Sequence, residues 1–526
     1  MLDLFVQGFQ QMGDLLSIAM VAFGVFLGVM FGCVPGLNGN TALVLVLPLT
    51  YKLPRMAAFS LIMGIYIGSC SGGLISAILL NIPGAASNVA TQFDGSPMAR
   101  KGEAGKALGT GIFYSFIGSV IGFLALFFLS GPVASIAINF GKADYFWMAF
   151  FALTMVISLS SKNLWKGLAV ACLGLLCSFI GASEVDGTTR MTLGEHALDA
   201  GINLIPALIG IYAVGELINA SKSFSKKTTI ETNYKIKGFG FTLKEFKEQI
   251  GNMLTSGIVG AFIGILPGIG GMTANLVAYS ISKSTSKHPE KYGTGYIGGV
   301  VASETANNAC VGGAMIPLFA LGIPGDTFTA VMLGVMMVHG LQPGPLVMTK
   351  NADFIYGIFV ALMLANIFCV ILQYFGIKLF VRMLAVPKHI LLPVIMVLSL
   401  VGSIAINNRI FDAWIVLIFG IVGIIMNRLE FPITPIILGF ILGPLAETNL
   451  RRALMLSKGE LLPLVSNTPS IILIALTILS LVLAPRLLKR EAKATRGFPS
   501  LMPNGIHAPS FRYTRPVTPR RSRKVR

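Results

Sequence analysis

Long apolar stretches separated by short polar segments run along the whole chain. No charged residue occurs between Lys106 and Lys142, and the segment between Asp353 and Lys378 is equally free of charge. Each of these runs is at least as long as the roughly 20 residues that a helix needs to cross a bilayer. Hydropathy windows predict about ten to twelve such spans. The pattern therefore predicts an all-α integral membrane protein.

Pro-Gly pairs interrupt four of these apolar stretches. They are Pro35-Gly36, Pro83-Gly84, Pro267-Gly268 and Pro324-Gly325. Proline removes a backbone N–H and glycine widens the allowed backbone angles, so each pair predicts the end of one helix and the start of another. A membrane tolerates such a break only where it is buried in protein or lines a wet cavity. A kink that serves helix packing explains one pair, whereas two symmetric pairs favour broken helices or re-entrant segments at a site.

The sequence around the breaks occurs twice. "GCVPGLNGNTALVLVLPLTY" at 32–51 is answered by "GILPGIGGMTANLVAYSISK" at 264–283, with Pro35 against Pro267 and Thr41 against Thr273. Further on, "SGGLISAILLNIPG" is answered by "VGGAMIPLFALGIPG". Paired broken segments at matching places are typical of inverted-repeat transporters. We therefore expect two homologous repeats, and an inverted relation is favoured although hydropathy does not fix the number of spans in each.

The repeats predict two membrane units, residues 1–220 and 249–485, with a polar linker at 221–248 and a basic tail at 486–526. The net charge is +18, and the tail holds twelve Lys and Arg against one acid. Its Pro-, Ser- and Arg-rich composition predicts disorder. By the positive-inside tendency, linker and tail lie in the cytoplasm, where anionic lipid is the expected contact and nucleic acid is not.

A helix that starts after a break would direct free N–H groups and its positive dipole end into the membrane, which suits an anion. Released carbonyls and Asn or Thr oxygens suit a small cation such as Na⁺. The candidate substrate contacts are Pro35, Gly36, Asn38, Asn40, Thr41, Asn88, Pro267, Gly268, Thr273, Asn275, Asn307 and Asn308. The candidate cation ligands are Asn38, Thr41, Thr273 and Glu304.

"ASETANNACVGG" carries a second polar group, because Glu304, Asn307 and Asn308 fall on one helical face. An ionisable residue at membrane depth is a functional candidate, but Glu304 could equally cap a helix or pair with a lysine at the interface. "TQFDGSPMARKGEAGKAL", residues 91–108, is predicted to be an aqueous loop with solvated charges. Arg451 and Arg452 could bind a substrate carboxylate, although a helix end at the cytoplasmic surface also explains them.

Motifs for catalysis are weak. The sequence has no HExxH, no Walker loop and no GxSxG elbow, and its five histidines have no ligand spacing. "GSCSG" at 68–72 puts Cys70 at the position of an elbow nucleophile, but no strand pattern or neighbouring histidine supports it. We expect no enzyme, no catalytic residue and no resident metal beyond a possible Na⁺.

Several motifs occur in an order that resembles the large membrane subunit of tripartite tricarboxylate transporters, the TctA family. They are "GCVPGLNGNTALVLVLPLTY", "GSCSGGLISAILLNIPGAASNVATQFDGSPMARKGEAGKALG", "GILPGIGG", "SETANNACVGGAMIPLFALGIPGDTFTAVMLG", "GLQPGPL" and "LGPLAETNLRRALMLSKG". The similarity covers roughly residues 10–485. It places the family's Pro-Gly loops on the four pairs above and its Glu-Ala-Ala-Asn-Asn signature on Glu304 to Asn308, with Thr305 replacing an alanine.

This resemblance implies a secondary transporter of the bacterial inner membrane. It implies a small four-helix membrane subunit and a periplasmic solute-binding protein as partners, and a tricarboxylate such as citrate, or a related organic acid, as substrate. Na⁺, or else H⁺, would be the coupling ion, with no other cofactor. An anion or carboxylate channel, or a uniporter without a binding protein, is the alternative. The first loop departs from the family's Pro-Gly-Leu-Gly-Pro by introducing Asn38 and Asn40, which affects the expected substrate more than the fold.

Overall fold

The computed structural model describes residues 2–35, 37–160, 164–183, 185–214, 239–384 and 388–495, and this part of the chain is almost entirely helical. Its first half contains α1 (Leu2–Gln11), α2 (Leu15–Cys33), α3 (Gly39–Lys52), α4 (Arg55–Leu80), α5 (Thr91–Met98), α6 (Ala104–Ala137), α7 (Lys142–Ser160), α8 (Leu164–Ser178) and α9 (Leu204–Ile209). Its second half contains α10 (Leu243–Ile265), α11 (Gly270–Thr285), α12 (Ile297–Leu321), α13 (Thr327–Val338), α14 (Pro345–Lys350), α15 (Ala352–Met383), α16 (Lys388–Asn407), α17 (Ile410–Arg428), α18 (Thr434–Leu456), α19 (Pro463–Ser466) and α20 (Thr468–Thr495).

Short elements complete the described fold. Two-residue strands β1 (Gly181–Ala182) and β2 (Thr189–Arg190) form an antiparallel pair. Single 3₁₀ turns occur at Ala86–Asn88, His196–Leu198 and Pro289–Lys291, and π-helical turns at Ala99–Glu103 and Gly210–Val214.

Five helical stretches of the described chain are long and apolar enough to cross a membrane. They are Leu15–Cys33, Arg55–Leu80, Thr91–Ala137, Ala352–Met383 and Ile410–Arg428. Shorter apolar helices accompany them at Leu164–Ser178, Thr327–Val338, Met396–Ala405 and Thr468–Val482. The prediction of an all-α membrane protein is therefore confirmed, whereas the number of ten to twelve spans stays a prediction.

The predicted boundaries fall partly outside the described residues. Most of the expected linker coincides with 215–238, which the structure does not describe, and its last residues form the first turns of α10. Helix α20 continues past Pro485 to Thr495, and the remainder of the expected tail is not described. The two repeats and their inverted relation stay predictions.

Helices α2 and α4 pack through glycines. A Cβ atom on Gly28 would lie 2.5 Å from the carbonyl oxygen of Ile65, and one on Gly68 would lie 2.5 Å from that of Val25. Real Cβ atoms do not approach so closely, so only glycine lets the two backbones meet here. Small residues at such interfaces are the usual means of close helix packing in membranes, and this contact brings the break after α2 beside the centre of α4.

The Pro-Gly pairs end helices as predicted. Helix α2 stops at Cys33 before Pro35, and α10 stops at Ile265 before Pro267. Gly268 adopts φ 77°, a conformation that favours glycine, and its N–H donates to the carbonyl of Gly325 at 2.7 Å. Two of the four breaks therefore touch each other directly.

The expectation of an aqueous loop at 91–108 was wrong for residues 91–98, whereas Arg100, Lys101 and Glu103 are exposed as expected. The segment is helical, and Asp94 is completely buried at 0% exposure. Its Oδ1 accepts backbone N–H groups of Gly293, Gly295 and Tyr296 at 2.8–2.9 Å, and its Oδ2 accepts the Tyr279 hydroxyl. A buried carboxylate is tolerated where donors surround it, so Asp94 fastens α5 to the start of α12.

Candidate functional site

A polar cavity of about 280 Å³ lies where the interrupted helices meet. The starts of α3, α11 and α13, the centres of α4 and α12, and the turn after Pro83-Gly84 form its walls. Its uncharged polar side chains include Asn38, Asn40, Ser69, Ser87, Asn307 and Thr434. Segments far apart in the sequence thus place hydrogen-bonding groups around one space inside a membrane protein.

Helix α3 begins at this cavity and is capped by its own loop. Asn38 Oδ1 accepts the backbone N–H of Thr41 at 2.9 Å and its hydroxyl at 3.2 Å. Asparagine is a favoured N-cap, because its side-chain oxygen satisfies an N–H that the helix leaves free. Asn40 Nδ2 donates to Thr327 Oγ1 at 3.1 Å. The first loop is thereby connected to the start of α13 in the other half.

Asp326 caps α13 on the opposite wall. Its Oδ1 accepts the backbone N–H and the hydroxyl of Thr329, at 2.8 and 2.7 Å. Its Oδ2 accepts the Tyr66 hydroxyl at 2.5 Å. The Tyr66 ring stacks on Phe328 with centroids 4.1 Å apart. The wall therefore combines a hydrogen-bonded carboxylate with an aromatic surface.

Helix α11 begins at the cavity without a side-chain cap. Gly270, Gly271 and Met272 of its first turn line the space. Beside them Asn307, 1% exposed, donates Nδ2 to the carbonyl of Cys70 at 3.1 Å. Its Oδ1 has no hydrogen-bond partner in the described part of the chain. This corner of the cavity offers helix N–H donors next to a free amide oxygen.

Glu304 lies behind the cavity wall and does not line it. It is 0% exposed, and its carboxylate accepts Asn88 Nδ2 at 3.1 Å, Ser115 Oγ at 2.9 Å and the Thr91 hydroxyl. Within the described residues it has no ion pair. Asn88 Nδ2 also donates to the carbonyl of Cys70, the same carbonyl that Asn307 contacts. One backbone oxygen thus connects the buried acid with the cavity.

The candidate substrate contacts divide into three groups. Those that line the cavity are Asn38, Asn40, Gly268 and Asn307. Those buried behind it are Asn88, Asn275 and Asn308, with Glu304 from the cation set. The third group belongs to the breaks and does not line the cavity: Pro35, Thr41, Pro267 and Thr273. Gly36 lies outside the described residues. No observation yet tests the binding role of any of them, and these roles stay predictions.

Two buried asparagines that do not contact the Glu304 carboxylate, Asn275 and Asn308, hold segments together. Asn275 Oδ1 accepts the N–H of Ala90 at 2.6 Å, and its Nδ2 donates to the carbonyl of Ser303 at 3.1 Å. Asn308 Oδ1 accepts the Ser71 hydroxyl at 2.9 Å. Both amides therefore donate and accept hydrogen bonds within the protein.

Asp326 and Tyr66 are among the cavity residues that sequence reasoning left out of the candidate site. Asp326 carried a signal, because an acid that directly follows Pro324-Gly325 sits where a new helix needs a cap. Tyr66 carried none, since it occurs in the middle of an apolar helix and reaches the cavity only through the packing of α4.

Arg451 does not line the cavity. Its guanidinium contacts Asp186 at 2.6 Å and Glu447 at 3.4 Å, and Arg190 makes a second, bidentate pair with Glu447. The hydrogen bond from Arg451 holds the pKa of Asp186 well below its ordinary value. These charges fasten the segment after α8 to α18.

Cys70 lies in the middle of helix α4, which is not the strand–turn–helix that a nucleophile elbow requires. Within the described residues no group of three His, Cys, Asp or Glu is arranged to hold a metal ion. The cavity offers amide, hydroxyl and carboxylate groups for binding.

The interrupted helices therefore surround a cavity with amide, hydroxyl and carboxylate groups in a multi-pass membrane protein. The family model of the tripartite tricarboxylate transporter TctA family matches residues 18–438. The chain belongs to this family, which confirms the resemblance read from its motifs. It is a transporter family, and its large membrane subunits are those of three-component systems.

Two relatives come from Agrobacterium vitis. The chain is 34% identical over 478 residues to an uncharacterized 52.8 kDa protein in the TAR-I ttuC' 3' region, an alignment that covers 91% of this chain and 95% of the relative. It is 37% identical over 225 residues to an uncharacterized protein in the TAR-II ttuC' 3' region, covering 43% of this chain and 93% of the relative. No solved structure matches the chain.

Proposed function

We propose that this protein imports an organic acid, a tricarboxylate or a relative of one, with a cation gradient by alternating access. The observation that carries the proposal is the cavity at the four breaks, where an uncapped helix start faces amide and hydroxyl groups. A helix N-terminus binds a carboxylate through its free N–H groups and its dipole. Alternating access would then expose this one site to each side of the membrane in turn.

Na⁺ is the proposed coupling ion. Sodium prefers hard oxygen ligands, and unwound backbone with Asn, Ser and Thr side chains supplies such oxygens in broken-helix transporters. Asn38, Asn307 and the carbonyls of the loops provide them at this cavity. Glu304 supplies a carboxylate one side chain behind the wall. These contacts support a cation site close to the substrate.

The proposal includes two partners and a location. Membership of a three-component family supports a small four-helix membrane subunit and a periplasmic solute-binding protein that delivers the acid. Such a system belongs in the inner membrane of a bacterium. The basic linker and tail would then face the cytoplasm.

Uptake into proteoliposomes tests the function. Vesicles containing the full chain and the small subunit receive the binding protein outside, with radiolabelled gluconate, glucarate or citrate. We expect at least one acid to accumulate against its concentration gradient when an inward Na⁺ gradient is present. Its uptake should stop when choline replaces Na⁺. Passive equilibration unaffected by ions and by the binding protein would contradict the proposal and indicate a channel or uniporter.

A further inference from the structure

The cavity is poor in positive charge. Among the described residues that line it, Asp326 is the one charged side chain, and no Lys, Arg or His contributes. Its carboxylate accepts hydrogen bonds from the Tyr66 hydroxyl and from the N–H and hydroxyl of Thr329. A ligand in this space therefore meets this carboxylate and no positive side chain that could balance further carboxylates.

Only one of the three helix starts remains open to an anion. Asn38 occupies the N-terminus of α3, and Asp326 occupies that of α13 and opposes its dipole with a negative charge. Helix α11, sixteen residues long, has no side-chain cap, and its first turn lines the cavity. The backbone thus provides one good position for a carboxylate.

Next to that position lies a buried acceptor without a donor. Asn307 Oδ1 has no partner among the described residues, although Asn307 is 1% exposed. A Cβ atom on Gly271 would lie 2.8 Å from this oxygen, so it adjoins the first turn of α11. A buried acceptor that stays unpaired is costly, and a ligand hydroxyl can supply its hydrogen bond.

We infer that the cavity binds a hydroxylated monocarboxylate, with its carboxylate at the start of α11 and a hydroxyl on Asn307 Oδ1. A second or third carboxylate would lie close to the Asp326 carboxylate in a space of about 280 Å³, where like charges repel each other. This inference rests on the proposed function, since it narrows the class of acid that the same site transports.

Binding by a matched series of acids tests the inference. Isothermal titration of the purified full chain in sodium chloride buffer uses gluconate, glucarate and citrate, and the first two share a hydroxylated six-carbon skeleton. We expect gluconate to bind at least about tenfold more tightly than glucarate or citrate. Equal or tighter binding of citrate would overturn the inference and leave the proposed function intact. Binding of none of the acids would overturn both.

Asp326→Asn tests the source of the selectivity. Asparagine is also a good N-cap, so α13 keeps its start while the negative charge is lost. We expect the affinity for glucarate to rise about tenfold, with little change for gluconate. Asp353→Asn, which removes a helix-start aspartate away from the cavity, should leave both affinities unchanged. A correctly folded Asp326→Asn protein with wild-type selectivity would overturn the role given to Asp326. An equal rise in glucarate affinity in Asp353→Asn would overturn it as well.

Discussion

The Asp94 side chain makes several of the hydrogen bonds that join α5 to the segment before α12. The Asp94 side chain is completely buried, and its Oδ1 accepts three backbone N–H groups while its Oδ2 accepts the Tyr279 hydroxyl. The sequence alone does not distinguish a buried aspartate such as Asp94 from one that faces water. The difference arises because residues 293–296 fold over it, and this contact joins positions about two hundred residues apart.

Two substitutions of Asp94 should show whether its hydrogen bonds or its negative charge stabilise the fold. Asp94→Ala removes the acceptor of three backbone N–H groups and of the Tyr279 hydroxyl. Since a hydrogen bond to a charged group contributes roughly 1.5–3 kcal/mol and these donors are only partly buried, we expect a loss of about 2 kcal/mol or more in stability. Asp94→Asn keeps an oxygen for the N–H groups and turns an amide toward the Tyr279 oxygen, so it should lose much less. The thermal midpoint of the purified chain measures both. Similar midpoints for the two variants would contradict the hydrogen-bond account.

The candidate site could be predicted only in part at this scale. Asn38 and Asn307 line the cavity, because polar residues beside a break or on the inner face of α12 have few other places to point. Thr273 matches Thr41 in the sequence, yet neither lines the cavity. Thr41 instead bonds Asn38. The phase of the first helical turn decides which side chain faces inward, and residue type alone does not contain that information.

At the scale of elements, the breaks were the most predictable feature. Proline and glycine act on their own backbone, so helix ends before Pro35 and Pro267 follow from local chemistry. The contact between Gly268 and Gly325 does not, since it depends on how α10 and α12 pack. Helical structure at 91–98 was missed for a related reason. Its polar residues face other helices and not water.

The segment between α8 and α9 should depend on Arg451. Arg451→Ala removes the contact to Asp186, and we expect faster hydrogen exchange in residues 185–199. Arg452→Ala is the matched control. Arg452 is the next residue in the chain, it is exposed, and its guanidinium has no ion pair within the described residues. Equal exchange in the two variants would show that the ion pair does not hold the segment.

The ion pair between Arg451 and Asp186 also predicts how hydrogen exchange in residues 185–199 depends on pH. The pKa of Asp186 is lowered in the folded protein, mainly by the hydrogen bond from Arg451. Its stabilisation is therefore complete above the ordinary aspartate pKa of about 3.9 and disappears as the pH falls toward the lowered value. Slow exchange in this segment, corrected for intrinsic rates, should be unchanged from pH 7 to pH 5. A loss within that range would assign the effect to another group.

For the whole molecule, the cavity joins both halves of the chain. Residues on either side of the linker contribute, from Asn38 and Tyr66 to Asn307 and Asp326. The duplicated motifs predicted that matching breaks would matter, but a sequence pattern does not give the distance between two breaks. That distance follows from the glycine contacts of α2 with α4 and from the helices stacked around them.

The central claim is that the space at the start of α11 is the transport site, and Gly271→Ala tests it most directly. The added methyl group would lie 2.8 Å from Asn307 Oδ1 and 3.0 Å from Ser87 Cβ, on the first turn of α11 and against the proposed hydroxyl position. Gly251→Ala is the matched control, because nothing lies within 4 Å of its added methyl group in α10. With equal amounts of protein in proteoliposomes, we predict that Gly271→Ala lowers Na⁺-driven uptake about tenfold or more while Gly251→Ala transports like the wild type. Wild-type uptake by Gly271→Ala would contradict the account.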